Sequence, residues 1–222
     1  ISNCNRVIYQ LDNLDFEVTG KESVIAELEV ARAYWYYILC EAFGNVPIVD
    51  RFDVPEGFLP ETSSREEVFA FIENSIKNNV DKLSDDTKTY YGRFNKWNAK
   101  MLLARLYLNA ESWIGKNMYT ECMALCTEIM NSNKYALEND YSAPFYAQNE
   151  GSQEIIFAYP ADEVKTGSTI YMALQKTLHP SNVKTFNLQT WLDNGVCAVP
   201  TFIDTYEEGD KRLPKTWRMG QQ

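Results

Sequence analysis

Asn95-Lys96-Trp97-Asn98-Ala99-Lys100-Met101-Leu102-Leu103-Ala104-Arg105-Leu106-Tyr107-Leu108-Asn109-Ala110-Glu111-Ser112 is the stretch on which the fold turns. Trp97, Met101, Ala104 and Leu108 recur at helical spacing, and Leu102, Leu103, Leu106 and Tyr107 add apolar bulk on the other sides. A helix apolar on most sides belongs at the centre of a core. Past Gly115 a second helix follows, with Tyr119, Cys122, Met123, Cys126, Ile129 and Met130 on one face.

Upstream, the same periodicity continues. Cys4, Val7, Ile8, Leu11 and Leu14 open the chain in helix. Val24, Leu28, Ala31, Trp35, Ile38 and Ala42 form the stripe of a long helix, ended by Gly44 and by Asn45-Val46-Pro47. This places Trp35 and Trp97 in the core. Val54 to Pro60 is a loop by its Pro and Gly content. Ser64 with Glu67 three later is a capping box, and Phe69, Ile72, Ile76, Val80 and Leu83 give the next helix its stripe. These helix–loop–helix pairs have faces that neither pair covers alone. Leu103, Ala104 and Tyr107, followed by Ala124 in the partner helix, resemble tetratricopeptide repeats, where small residues let helices cross closely. The expected fold is mainly α: tetratricopeptide-like hairpins over 1–135, then a loop-rich, ligand-presenting region over 136–222 with a few short strands. Such scaffolds mostly bind rather than catalyse.

The last third changes character. Glu154-Ile155-Ile156-Phe157-Ala158-Tyr159 reads as a short strand. From Pro160 to Gly195 the spacing is irregular, the mark of a long structured loop with one short helix, and long loops in compact domains tend to carry function.

Composition narrows the function. The 222 residues (25.6 kDa) are 45% hydrophobic, so a chain of this mass can hide about 70% of its unfolded surface. Net charge is −10 and the isoelectric point about 4.7, which argues against binding to a phosphate backbone or to anionic lipid. Aromatics make up 14%, more flat apolar surface than a core requires. The five cysteines, Cys4, Cys40, Cys122, Cys126 and Cys197, follow no disulfide framework and read as small core residues. No run approaches the ~20 apolar residues of a membrane span, and Ile1-Ser2-Asn3-Cys4-Asn5 is neither a signal peptide nor a Met start. Both ends look cut, as expected of an interior portion of a longer protein.

Catalytic signatures are missing. With His179 the single histidine, a two-imidazole zinc site is excluded, and no nucleophile-elbow sequence accompanies it. Phosphate-cradling glycine motifs and CxxC are absent. Asp204, Glu207, Glu208 and Asp210 offer oxygen ligands to calcium but lack EF-hand spacing, and read as solvated charge. No cofactor is expected.

Several segments, in order, resemble the SusD/RagB family of Bacteroidota surface lipoproteins: Ala31-Arg32-Ala33-Tyr34-Trp35-Tyr36-Tyr37 with Phe43-Gly44-Asn45-Val46-Pro47; Arg65-Glu66-Glu67-Val68; Gly92-Arg93 with Ala104-Arg105-Leu106-Tyr107-Leu108; Ser152-Gln153-Glu154-Ile155-Ile156-Phe157; and Asn194-Gly195 with Pro200-Thr201-Phe202-Ile203-Asp204 and Asp210-Lys211-Arg212. Phe43 stands where tyrosine is commoner. The resemblance implies a tetratricopeptide-like scaffold, a lipid anchor at the cell surface outside this chain, a lid-like association with a SusC-type TonB-dependent transporter, and binding of oligosaccharide, sometimes peptide, without turnover.

A neutral glycan presents apolar CH faces ringed by hydroxyls, which an exposed aromatic ring beside amides complements. Residue type and loop position make Tyr171, Trp191 and Trp217 the candidate platforms, with Asn187, Gln189 and Asn194 as polar partners. The same rings also suit a seam between loops and helices. Two other functions compete: a tetratricopeptide adaptor holding a peptide, which requires regular repeats throughout, and a hydrolase acting on the same glycans.

Overall fold

A computed structural model describes residues 1–160 and 172–218, without the side chains of 172–174. Five helices dominate: α1 (Ser2–Asp12), α2 (Lys21–Phe43), α3 (Arg65–Asn79), α4 (Lys96–Ile114) and α5 (Tyr119–Asn131). Two residues each of β1 (Val46–Pro47) and β2 (Thr62–Ser63) pair antiparallel, Val46 opposite Ser63. The chain divides into two compact units, one of residues 1–137 and 152–158, the other of 138–151 and 159 onward.

In the first unit consecutive helices pack on one another, α2 on α3, α3 on α4 and α4 on α5, as tetratricopeptide-like hairpins. Their core holds Val30, Tyr37, Val68, Ile72, Leu106 and Ala110, all fully buried or nearly so. α4 is central, as its all-round apolar character predicts: Leu102, Leu103, Ala104, Leu106 and Tyr107 are buried.

Caps set the helix starts. Ser64 accepts the Glu67 N–H while Glu67 accepts the Ser64 N–H at 2.7 Å, the predicted capping box. Asn95 and Asn98 form a second, buried one ahead of α4. Gly44 ends α2 at φ +76°, a conformation that favours glycine, and a Cβ there would push the flexible Arg65 guanidinium, 2.8 Å away, aside. Asn45 next accepts the Arg65 N–H at 2.9 Å, tying this turn to the start of α3.

Several expectations are corrected. α2 buries Ala26, Val30, Ala33, Tyr36, Tyr37 and Cys40, so its core stripe is rotated from the one read in the sequence, and Trp35 is 43% exposed. The helix is apolar on two faces, and periodicity alone does not rank them. Trp97 is only half-buried, its indole N–H donating to Asp85 at 2.6 Å. On the α4–α5 pair Leu108, Met123, Ala124 and Met130 are exposed, while Ile129 alone of α5 is fully buried. Cys4 and Cys40 are buried, Cys122 and Cys126 half-buried, and Cys197 is exposed rather than in a core. Residues 154–159 form no strand. Phe157 instead stacks on Phe94 (ring centroids 4.8 Å apart) and tilts against Tyr34 (5.6 Å), which accounts for the apolar run without a ladder.

Candidate functional site

The second unit is built from short helical turns, Met172–Thr177, Asn182–Thr185, Pro200–Ile203 and Leu213–Thr216. Turns this short are held by their neighbours rather than by their own ladders. The strap 193–196 folds back along the first of them: Asp193 N–H donates to Gln175 O (2.9 Å), Asn194 N–H to Leu178 O (3.1 Å) and Val196 N–H to Lys176 O (2.8 Å). Gln175 also donates to the Thr190 hydroxyl at 2.7 Å. The reversals fall at Asn187 (φ +49°) and Asn194 (φ +50°), since asparagine tolerates the left-handed region better than most residues.

Further along, Phe202 meets Tyr206 edge-on (5.9 Å) and Trp217 likewise (6.0 Å), and the Trp217 indole N–H donates to the Tyr206 hydroxyl at 3.0 Å. The ring of Trp217 is thereby fixed before any ligand arrives. Lys215 pairs with Asp140, and Tyr141 shares a 3.2 Å hydrogen bond with Thr216, pinning the turn that carries Trp217. The Lys215 ammonium, with the Ser142 N–H and the Tyr146 hydroxyl, holds the Asp140 carboxyl well below the usual carboxylate range.

These segments enclose a cavity of about 820 Å³. Leu178, Val196 and Ile203 give it apolar wall beside the Trp217 indole, and Asn194, Asp204 and Thr216 give it polar edge. That combination, a fixed ring among apolar side chains with amide, hydroxyl and carboxylate groups at the margin, suits a sugar ring with its CH face and hydroxyls. A second cavity of about 810 Å³, in the first unit, is lined by Lys21, Glu22, Asp81 and Lys82 with no aromatic ring among its residues. It offers nothing for a sugar face to stack on.

Of the residues singled out from sequence, Trp217 and Asn194 meet in the cavity lining. Trp191 is 59% exposed outside it, with the Lys176 ammonium 5.7 Å from its ring centre and Lys176 also paired to Asp193. Asn187 and Gln189 are exposed and do not line the cavity. Tyr171 lies outside the described residues. Asp204, Thr216, Arg218 and Cys197 line the cavity without having been picked out as ligand contacts. They converge from turns far apart in sequence, and no local spacing announces that. Among the described residues no three His, Cys, Asp or Glu side chains form a metal-holding group. Asp210 of the acidic run is committed to Arg212, whose guanidinium lowers its carboxyl pKa to about 2.

A sequence profile described as "Starch-binding associating with outer membrane", of the SusD-like group, matches residues 1–108. The starch-binding protein SusD of Bacteroides thetaiotaomicron is 30% identical over 156 residues, 66% of this chain and 27% of SusD. A SusD superfamily protein from Parabacteroides distasonis superposes on 96% of the chain and 45% of its own length, with a TM-score of 0.75 and 23% identity. Over residues 1–108 the chain is similar to the SusD-like family, and it shares the SusD fold. A surface glycan-binding protein A from Bacteroides fluxus shares the fold at a TM-score of 0.72 and 22% identity, covering 96% of this chain and 46% of that one. The chain spans about a quarter of the curated relatives it matches, 27% and 26% of their lengths.

Proposed function

We propose that this chain is part of a cell-surface, lipid-anchored protein of the outer membrane. That protein binds an oligosaccharide without cleaving it and passes it to a SusC-type TonB-dependent transporter. One observation carries the reading: the indole of Trp217, locked by Tyr206 and Phe202, and the carboxamide-bearing Asn194 line one cavity of about 820 Å³. The match of residues 1–108 to the SusD-like profile supports it, as does the starch-binding name of its 30% identical relative. The sequence carries no nucleophile-elbow motif and no phosphate-cradling glycine motif. Among the described residues no helix is long and apolar enough to cross a membrane.

The test is calorimetric titration of the full-length protein with maltooligosaccharides, laminarioligosaccharides and xylooligosaccharides, with chromatography of each glycan afterwards. Saturable binding of one class with the glycan recovered intact is expected. Failure to bind any glycan, or the appearance of shortened products, would overturn the proposal.

A further inference from the structure

We infer that Asn194-Gly195 is a self-modifying position on the cavity edge, where asparagine converts spontaneously to aspartate and isoaspartate. It is the one Asn-Gly pair in the chain. Every other asparagine is followed by a residue whose side chain shields the next backbone nitrogen, whereas glycine leaves it open. Asn194 is exposed and sits in the left-handed region at φ +50°. The hydrogen bonds that hold this turn come from its flanks, Asn194 N–H to Leu178 O and Val196 N–H to Lys176 O. Neither the Gly195 N–H nor the Asn194 carboxamide has a hydrogen-bond partner among the described residues, so nucleophile and electrophile are both uncommitted.

The chemistry needs only water. The Gly195 nitrogen gives its proton to water or hydroxide and attacks the Asn194 Cγ. A C–N bond forms, closing a five-membered succinimide, and the side-chain nitrogen leaves as ammonia after taking up a proton. Water then opens the ring at either carbonyl, giving aspartate at one and isoaspartate at the other.

The consequence follows from position. Isoaspartate lengthens the main chain by one methylene between the two flanking hydrogen bonds, which lie 3.1 and 2.8 Å long on the unmodified turn. Either product adds a carboxylate to a lining that already contains Asp204. Ageing of the protein therefore reshapes and recharges the cavity edge and weakens its ligand; this half of the inference rests on the glycan-binding reading.

Full-length protein is incubated at mildly alkaline pH and 37 °C, then digested and mapped by mass, with isoaspartate detected by enzymatic methylation. The Asn194 peptide should gain about one dalton several-fold faster than any other asparagine peptide. Gly195→Ala should slow this strongly; its new Cβ would sit 3.3 Å from the flexible Lys176 Cδ, a contact that side chain can relieve. Conversion at Asn194 no faster than elsewhere, or unaffected by Gly195→Ala, overturns the site. In parallel, fresh and aged protein are titrated with the same oligosaccharides, and binding capacity should fall in step with the converted fraction. Full capacity after complete conversion overturns the consequence. Absence of glycan binding by fresh protein would instead defeat the functional reading, with the modification still decided by mass alone.

Discussion

The Tyr36 hydroxyl accepts the Val49 N–H at 2.7 Å and donates to the Val49 carbonyl at 3.2 Å. One phenol on α2 thus satisfies both backbone groups of a residue just past β1, where the chain has left its short ladder. Tyr36 is 1% exposed, so water is a poor substitute. Tyr36→Phe keeps the ring and orphans the Val49 N–H, at a cost of about 1–3 kcal/mol. Urea unfolding should show a lower midpoint at unchanged slope. An unchanged midpoint would mean that the phenol does not anchor this loop.

Arg32, 4% exposed, is the buried charge of the first unit. It donates to the Asn5 side chain (2.9 Å) and the Asp50 carbonyl (2.6 Å), pairs with Glu29, and lies 5.5 Å from the Phe71 ring centre. Asn5 in turn donates to the Val49 and Arg51 carbonyls at 2.9 and 3.1 Å, so α1, α2 and the loop after β1 share one network. Removing the cation leaves a part-buried carboxylate and two acceptors without their donor. Arg32→Ala should therefore cost about 3–5 kcal/mol, and Asn5→Ala about 1–3, because it removes one partner of the guanidinium and the donor to two carbonyls but strands no charge. Equal losses for the two variants would show that the network does not centre on Arg32.

Across α3 and α4 the Tyr107 hydroxyl donates to Glu73 at 2.7 Å, and Lys77 pairs with the same carboxylate. Burial alone would raise the Glu73 pKa, but the hydrogen bonds from Lys77 and Tyr107 outweigh it and leave it below the ordinary 4.5. Burial and the neighbouring carboxylate push Tyr107 up from 10.0 to about 12. Glu73, depressed in the folded chain, stabilises fully above pH 4.5 and loses that contribution as pH falls through its lower folded value. Tyr107, raised, stabilises fully below pH 10 and loses its share as pH rises through about 12. Glu73→Gln should lower neutral-pH stability by about 1 kcal/mol. Its deficit relative to the unsubstituted protein should shrink in acid, as read from urea midpoints across pH. A deficit that stays constant into acid would rule out the coupling.

What the sequence could and could not disclose follows the same physics. Helix ends were legible because caps are local: Ser64 with Glu67, Gly44 before Asn45, and Gly115 each act within a turn of where they stand. Which face of α2 goes inward was not, because Val24, Leu28 and Trp35 make as good a stripe as Val30, Tyr37 and Cys40, and only contact with α3 separates them. Glu154 to Ala158 failed as a strand for a related reason: its apolar residues answer to Phe94 and Tyr34, far away in sequence. At the cavity, aromatic and amide residues in loops were visible as Trp217 and Asn194. Asp204 and Thr216 were not, since their meeting depends on hydrogen bonds such as Val196 to Lys176 and Tyr141 to Thr216.

Two indoles should respond differently to ligand. Trp217 lines the cavity and is fixed by Tyr206 and Phe202, so little freedom remains to be lost on binding. Trp217→Ala should weaken oligosaccharide binding about tenfold or more, in the range of a central aromatic contact. Trp191, exposed and outside the cavity, should cost only a few-fold on truncation. Because Trp217→Ala also removes packing, Cys197 supplies a readout free of that complication: it is exposed and lines the same cavity, whereas Cys4 and Cys40 are buried. Bound oligosaccharide should slow maleimide labelling of Cys197, measured by peptide mass, in proportion to occupancy. Labelling at an unchanged rate under saturating glycan would place the sugar elsewhere on the protein.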